Sequence, residues 1–183
     1  MLPWGHAAVG YLLYTAVCQH SDREGSIPEG AAVLALAIGT QFADLVDKPL
    51  AWYLGALPSG RSLAHSLFVA VALLLVLDRL AVRYERRDLS IAFTVGHLTH
   101  LAGDTIYGLD DGLETFRFLL WPAIPQTGSE TGYTILQVLI ELTLSPVGLF
   151  ESVLFVAATG LWISHRAPGL WLCLDMLERS IAR

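Results

Sequence analysis

The chain has 183 residues, 54% of them hydrophobic and 15% charged, with a net charge of -6 and a mean hydropathy of +0.55. A soluble domain carries about 25% charged residues, so the composition excludes a disordered chain, a nucleic-acid-binding domain and an ordinary water-solvated globule. It points to one membrane-embedded helical domain over residues 1–183, although no run of 18 residues is purely apolar as an uninterrupted span would be.

Residues 4–18 are apolar apart from His6 and read as a first helix, followed by a polar loop, 19–29, in which Pro28 stands ahead of a helix start. Residues 30–43 form a charge-free second helix that ends at Asp44. Residues 44–61 read as a connection holding Asp44, Asp47, Lys48 and Arg61 around an aromatic centre, Trp52-Tyr53. A third helix runs from Ser62 to Val82 and a fourth from Leu89 to Tyr107, the latter interrupted by His97, Thr99, His100 and Asp104. After a Gly- and acid-rich stretch, 108–132, a last hydrophobic segment covers 133–164 and contains Glu141, Pro146 and Glu151. Pro146 is expected to kink or split it. In the tail, 168–183, Leu170, Leu174, Leu177 and Ile181 recur at helical spacing, the pattern of an amphipathic helix on a membrane surface. The fold class read from this order is all-α, a multi-pass transmembrane bundle of about five hydrophobic helices with a C-terminal amphipathic helix.

Arg79, Arg83, Arg86 and Arg87 cluster between the third and fourth helices, which places that turn in the cytoplasm by the positive-inside rule and the 44–61 connection outside. The N-terminus has no basic segment, so no cleaved signal peptide is expected. Cys18 and Cys173 are far apart and form no C-x-x-C pair, and read as buried apolar residues. Lys48 is the one lysine among eleven basic residues; the acidic, Arg-rich balance fits a high-salt habitat or a high-GC coding bias equally well.

If four helices alternate in direction, His6, Asp44 with Asp47, His65, and His100 with Asp104 all fall at one end of the bundle. His97, His100 and Asp104 lie within an arc of about 60° on the fourth helix. Imidazoles and carboxylates gathered at one place suit a divalent transition metal, zinc first, and two ions fit this many ligands. An ionisable group deep in a membrane segment costs about 2.5–3.5 kcal/mol on insertion scales, so each needs a partner or a purpose. Blander readings stand beside each ligand. His6 can be an interfacial histidine and Asp44 a helix end. Asp47 can pair with Lys48 or Arg61, His65 can bond a backbone carbonyl, and His97 can support a ligand rather than be one. Arg61 either steadies an anionic substrate or a carboxylate, or lies at the surface. His20 and His165 belong to the opposite end, and Glu141 and Glu151 are intramembrane acids with no nameable partner.

These residues carry a resemblance over most of residues 3–125. The chain resembles the membrane-bound metal-dependent hydrolases, also described as LexA-binding, inner-membrane-associated hydrolases. The matching elements are His6, a D-x-x-D-like Asp44-Leu45-Val46-Asp47, a segment Gly60-Arg61-Ser62-Leu63-Ala64-His65-Ser66 similar to H-R-G-x-T-H-S, a segment Gly96-His97-Leu98-Thr99-His100-Leu101-Ala102-Gly103-Asp104, and Leu120-Trp121-Pro122. Gly60 stands where the family has a histidine, and the proline and histidine of the usual P-D-x-D-H element are absent. The resemblance implies a metal-dependent hydrolase without naming its substrate, and function at this point is analogy.

The leading expectation is therefore a hydrolase in which a metal held among His6, Asp44, Asp47, His65, His97, His100 and Asp104 activates water against an ester or phosphoester. Asp47 is the expected general base and Arg61 the group that meets the substrate. The expected partners are membrane lipid and a small-molecule or lipid-linked substrate, with no nucleic acid. The alternative is a non-catalytic membrane-embedded binding or regulatory protein with a structural metal or polar cluster. A transporter needs a polar path through the bilayer, for which the opposite end offers only His20, Glu141 and Glu151.

Overall fold

Punctuation residues in the sequence explain where the helices begin. In the computed structural model, which describes residues 1–20, 27–126, 140 and 143–181, Ser66 caps one helix by accepting from the Phe68 N–H at 3.2 Å. Ser145 caps another, accepting from Gly148 N–H at 3.0 Å, with Pro146 in the first turn. Both are standard N-terminal devices, a hydroxyl taking an orphan amide and a proline where no amide is needed. Among the described residues six α-helices are defined: α1 Pro3–His20, α2 Gly30–Lys48, α3 Leu67–Arg83, α4 Arg87–Tyr107, α5 Pro146–Ser164 and α6 Leu170–Ile181. A π-helical turn, Pro49–Tyr53, continues α2, and 3-10 turns Leu109–Phe116 and Phe118–Leu120 follow α4. The described residues contain no strand. Glu141 lies outside them.

Two boundaries differ from expectation. The second helix passes through Asp44 to Lys48, because Asp44 is paired with Lys48 at i,i+4 (2.6 Å), a spacing that supports a helix. The third helix starts at Leu67 rather than Ser62, because the amides of residues 62–65 serve a carboxylate instead of a helical ladder. The last hydrophobic segment breaks just before Pro146, as expected, and a helix opens there.

The number of spans is also corrected. Among the described residues two helices are long and apolar enough to cross a membrane, Gly30–Tyr53 and Pro146–Ser164; five are not supported. α3 has 17 residues, about 26 Å at 1.5 Å per residue, short of a hydrocarbon core of about 30 Å. α4 is longer but spends three positions on His97, His100 and Asp104. α6 has the amphipathic pattern, no buried residue, and exposes Trp171, Met176 and Ile181.

Two glycines set the central contact. A Cβ at Gly39 would strike the carbonyl oxygen of Phe93, and one at Gly96 would strike backbone of Leu36 and Thr40. α2 and α4 therefore approach backbone to backbone. α1 packs on both, α5 on α1, and α3 on α4. Tyr11, Tyr14, Ala32, Val33, Leu36 and Ala92 form the apolar core on one side of this contact. Two polar ties hold α5 to α1. Glu151 Oε2 accepts from the Leu2 amide at 2.8 Å, and Tyr11 Oη lies 2.8 Å from His165 Nδ1 at the other end. Glu151 and His165 thus both have partners that the sequence did not reveal.

A methyl group at Gly96 should wedge α2 from α4. Gly96→Ala is expected to lower stability by about 1–3 kcal/mol, the usual cost of overpacking. Gly160→Ala, where a Cβ would meet nothing within 4 Å, is expected to be neutral or slightly stabilising. Thermal unfolding of the two variants in detergent checks the contrast.

Candidate metal centre

Asp47 organises the site. Its carboxylate, fully buried, accepts from the backbone amides of Ser62 (2.8 Å), Ala64 (2.8 Å) and His65 (3.2 Å). His65 Nδ1 is a further donor at 2.8 Å. The 62–65 loop is thus wrapped around an acid on α2, and the His65 ring is fixed in the tautomer with its proton on Nδ1. His100, on α4, makes the matching arrangement with backbone: its Nδ1 lies 2.8 Å from the Thr40 carbonyl oxygen, an acceptor that only an N–H can satisfy.

Both imidazoles consequently turn Nε2 inward, and the two Nε2 atoms are 3.1 Å apart. Asp44 Oδ1 joins them at 3.6 Å from His65 and 3.8 Å from His100. Asp104 Oδ2 stands at 3.6 and 4.0 Å from the same two nitrogens. All four residues are buried, and one ligand atom from each lies within 4.8 Å of the others. Asp44 Oδ1 has no hydrogen-bond partner. With both imidazoles neutral, these four acceptors repel one another unless a positive charge, a metal ion or a proton on His65, stands between them. Ligands of a tetrahedral ion at about 2.0–2.1 Å are about 3.3 Å apart, close to the separations here. The group Asp44, His65, His100 and Asp104 could therefore hold a metal ion. His65 shows the same demand for positive charge: burial opposes its proton, but the carboxylates of Asp104, Asp47 and Asp44 outweigh burial and raise its pKa above the usual 6.5.

Cations also pair with the carboxylates, on the outer oxygens of both and, at Asp104, on the inward oxygen as well. Lys48 Nζ meets Asp44 Oδ2 at 2.6 Å. Arg61 Nε meets Asp104 Oδ2 at 2.9 Å, and the Met1 amino group meets Asp104 Oδ1 at 2.9 Å. The Arg61 guanidinium rests over the Phe118 ring at 5.9 Å and is 37% exposed, so it marks the mouth of the site. The Leu120-Trp121-Pro122 segment backs the centre: the Trp121 carbonyl accepts from Ser66 Oγ at 2.5 Å, and Phe118 stands edge-on to His65.

The remaining expected ligands fall outside the four. His6 stacks on His100 with ring centroids 3.8 Å apart, and its Nε2 is 3.2 Å from Asp104 Oδ1. It steadies two members of the group instead of joining it. His97 is fully buried against Phe42 and Phe93 with both nitrogens unpartnered. Its ring lies on the α2 side of α4. Asp47 neither faces the centre nor has a free oxygen for a base. A side chain at Gly60 would press on Trp52 and Lys48. The sequence reading missed Lys48 as the partner of Asp44, although the i,i+4 spacing signals it; the Thr40 carbonyl, a backbone group, leaves no such signal.

A family model described as YdjM inner membrane protein matches residues 1–174. The chain belongs to the YdjM inner membrane protein family. No curated protein and no solved structure matches it significantly. Every residue of the centre described above falls within the matched range. The family description agrees with the apolar composition and with the two candidate spans, and speaks of the membrane rather than of a reaction.

Asp47→Ala strands three amides and frees His65, so it should reduce metal retention about 10–100-fold, as loss of a ligand's supporting hydrogen bond does, and destabilise the fold. Lys48→Met should weaken retention less, because Asp44 keeps its place on α2. Metal content by elemental mass spectrometry across a chelator titration ranks the two.

Proposed function

We propose that this protein is a membrane-bound metal-dependent hydrolase whose centre is Asp44, His65, His100 and Asp104, with zinc the best-suited ion. The observation that carries the reading is the pair of imidazole Nε2 atoms 3.1 Å apart, facing two carboxylate oxygens with no donor among the four. Two imidazoles and two carboxylates favour zinc among the common divalent ions. When bound, such an ion supplies Lewis acidity and brings the pKa of a water toward neutrality.

The chain's own groups divide the remaining work. Asp47 and the Thr40 carbonyl orient His65 and His100. Asp104 lies beside the half-exposed Arg61 at the mouth. Asp47, whose oxygens are taken by the 62–65 loop, is not the acceptor for the proton of the attacking water. Arg61 touches Asp104 through Nε, and its guanidinium can turn to an anionic oxygen of a phosphoester or ester. The substrate is lipid-linked in this reading, because the chain is a membrane protein and its site lies at one end of the helices. The arginine cluster between α3 and α4, at the far end of α3 from His65, faces the cytoplasm, and the helices cross the bilayer more than once.

A second reading has its own support. Four protein ligands make a closed shell, the habit of structural zinc sites, whereas catalytic sites keep a position open. In that case the centre would fasten the loop to the bundle and turn nothing over.

Arg61→Gln, which leaves the four ligands in place, separates the two. In the hydrolase, the zinc-loaded wild type turns over bis-p-nitrophenyl phosphate or a p-nitrophenyl ester, and the variant retains zinc and loses about 100-fold in turnover, as removal of a transition-state donor does. In the structural site neither protein turns over either substrate, and removal of zinc lowers the unfolding temperature. The double variant His100→Ala, Asp104→Ala should bind none, and zinc content equal to wild type in that protein would sink both readings.

A further inference from the structure

Beside the centre, a groove of about 860 Å³ runs between α1, α4 and α5. Its walls include Leu13, Leu98, Ala102, Ile106, Val147 and Phe150. One end is polar, with Met1 and Glu151; Glu151 caps the Leu2 amide and the Met1 amino group touches Asp104. The other end, near Leu13 and Leu98, is apolar. We infer that this groove seats the hydrocarbon tail of a membrane lipid, with the lipid's polar head at the Met1–Glu151 end against Asp104.

Size and direction favour this occupant. Along α4 the lining extends from Leu98 to Tyr107, about 13 Å at 1.5 Å per residue. One leaflet of a hydrocarbon core of about 30 Å is about 15 Å deep, so the groove matches one leaflet. The lining is apolar along this length and polar at one end, the polarity of a single lipid molecule. α5, which supplies one wall, is the more hydropathic of the two candidate spans and has 17% of its window buried, so its outer face is suited to meet acyl chains. The wall between groove and centre is thin at Gly103: a Cβ there would lie 3.5 Å from His6 Nδ1 and collide with the Met1 sulfur. A head group at the polar end therefore sits one residue away from His6 and Asp104. The lipid's role as substrate rests on the hydrolase reading, whereas its binding does not.

The test uses the full chain in phosphatidylethanolamine–phosphatidylglycerol nanodiscs, released into native mass spectrometry with zinc measured on the same samples. Wild type should retain one phospholipid. Ala102→Trp, at an exposed groove position, should cut retention at least tenfold, and Val71→Trp on the exposed face of α3 should leave it unchanged. A photoreactive residue at Ala102 should capture phospholipid. Retention in Ala102→Trp equal to wild type overturns the inference, as does capture of residues 127–142 or of a second copy. Loss of lipid in Ala102→Trp from a protein that binds no zinc leaves the groove standing and removes the hydrolase reading.

Discussion

The carboxylate of Asp47 is the constraint on which the rest of the site depends. Three backbone amides and one imidazole N–H converge on it. A buried amide left without its acceptor costs about 1–3 kcal/mol, so the loop at 62–65 has no cheap alternative path. The same interaction delays the start of α3 until Ser66 can cap it, and it aims His65 Nε2 at the centre. An acid that looks catalytic in the sequence is the scaffold of the site.

The opposite wall is built from small residues. Gly39 and Gly96 let α2 and α4 touch through their backbones, and that approach brings the Thr40 carbonyl to His100 Nδ1. Each histidine is thus oriented through Nδ1 by a group on α2, one a side chain and one a carbonyl. The two Nε2 atoms meet because both anchors sit on the same helix, seven residues apart.

Charge is arranged so that each carboxylate of the centre is shared. Asp44 divides its oxygens between Lys48 and the centre; Asp104 gives Oδ1 to the Met1 amino group and shares Oδ2 between Arg61 and the centre. In an apolar medium an unpaired carboxylate is costly, and these pairings keep the anions in place. Glu151 follows the same rule at the start of α1, where its charge meets an orphan amide at the favourable end of the helix dipole.

The sequence by itself determined the helical class, the apolar medium and the gathering of Asp44, His65, His100 and Asp104 at one end. Composition follows from the solvent, and helix alternation alone carries those residues to one end. The spacing of His100 and Asp104 on α4 was legible for the same local reason. Tertiary structure decided the roles. Asp47 and Asp44 are three residues apart with the same side chain, yet one is saturated by a loop 15 residues away and the other is left open. His97 is one turn from His100 and is turned instead against Phe42 and Phe93. Such assignments depend on which backbone groups another segment brings within hydrogen-bond reach, and backbone donors and acceptors are the same at every position of the sequence.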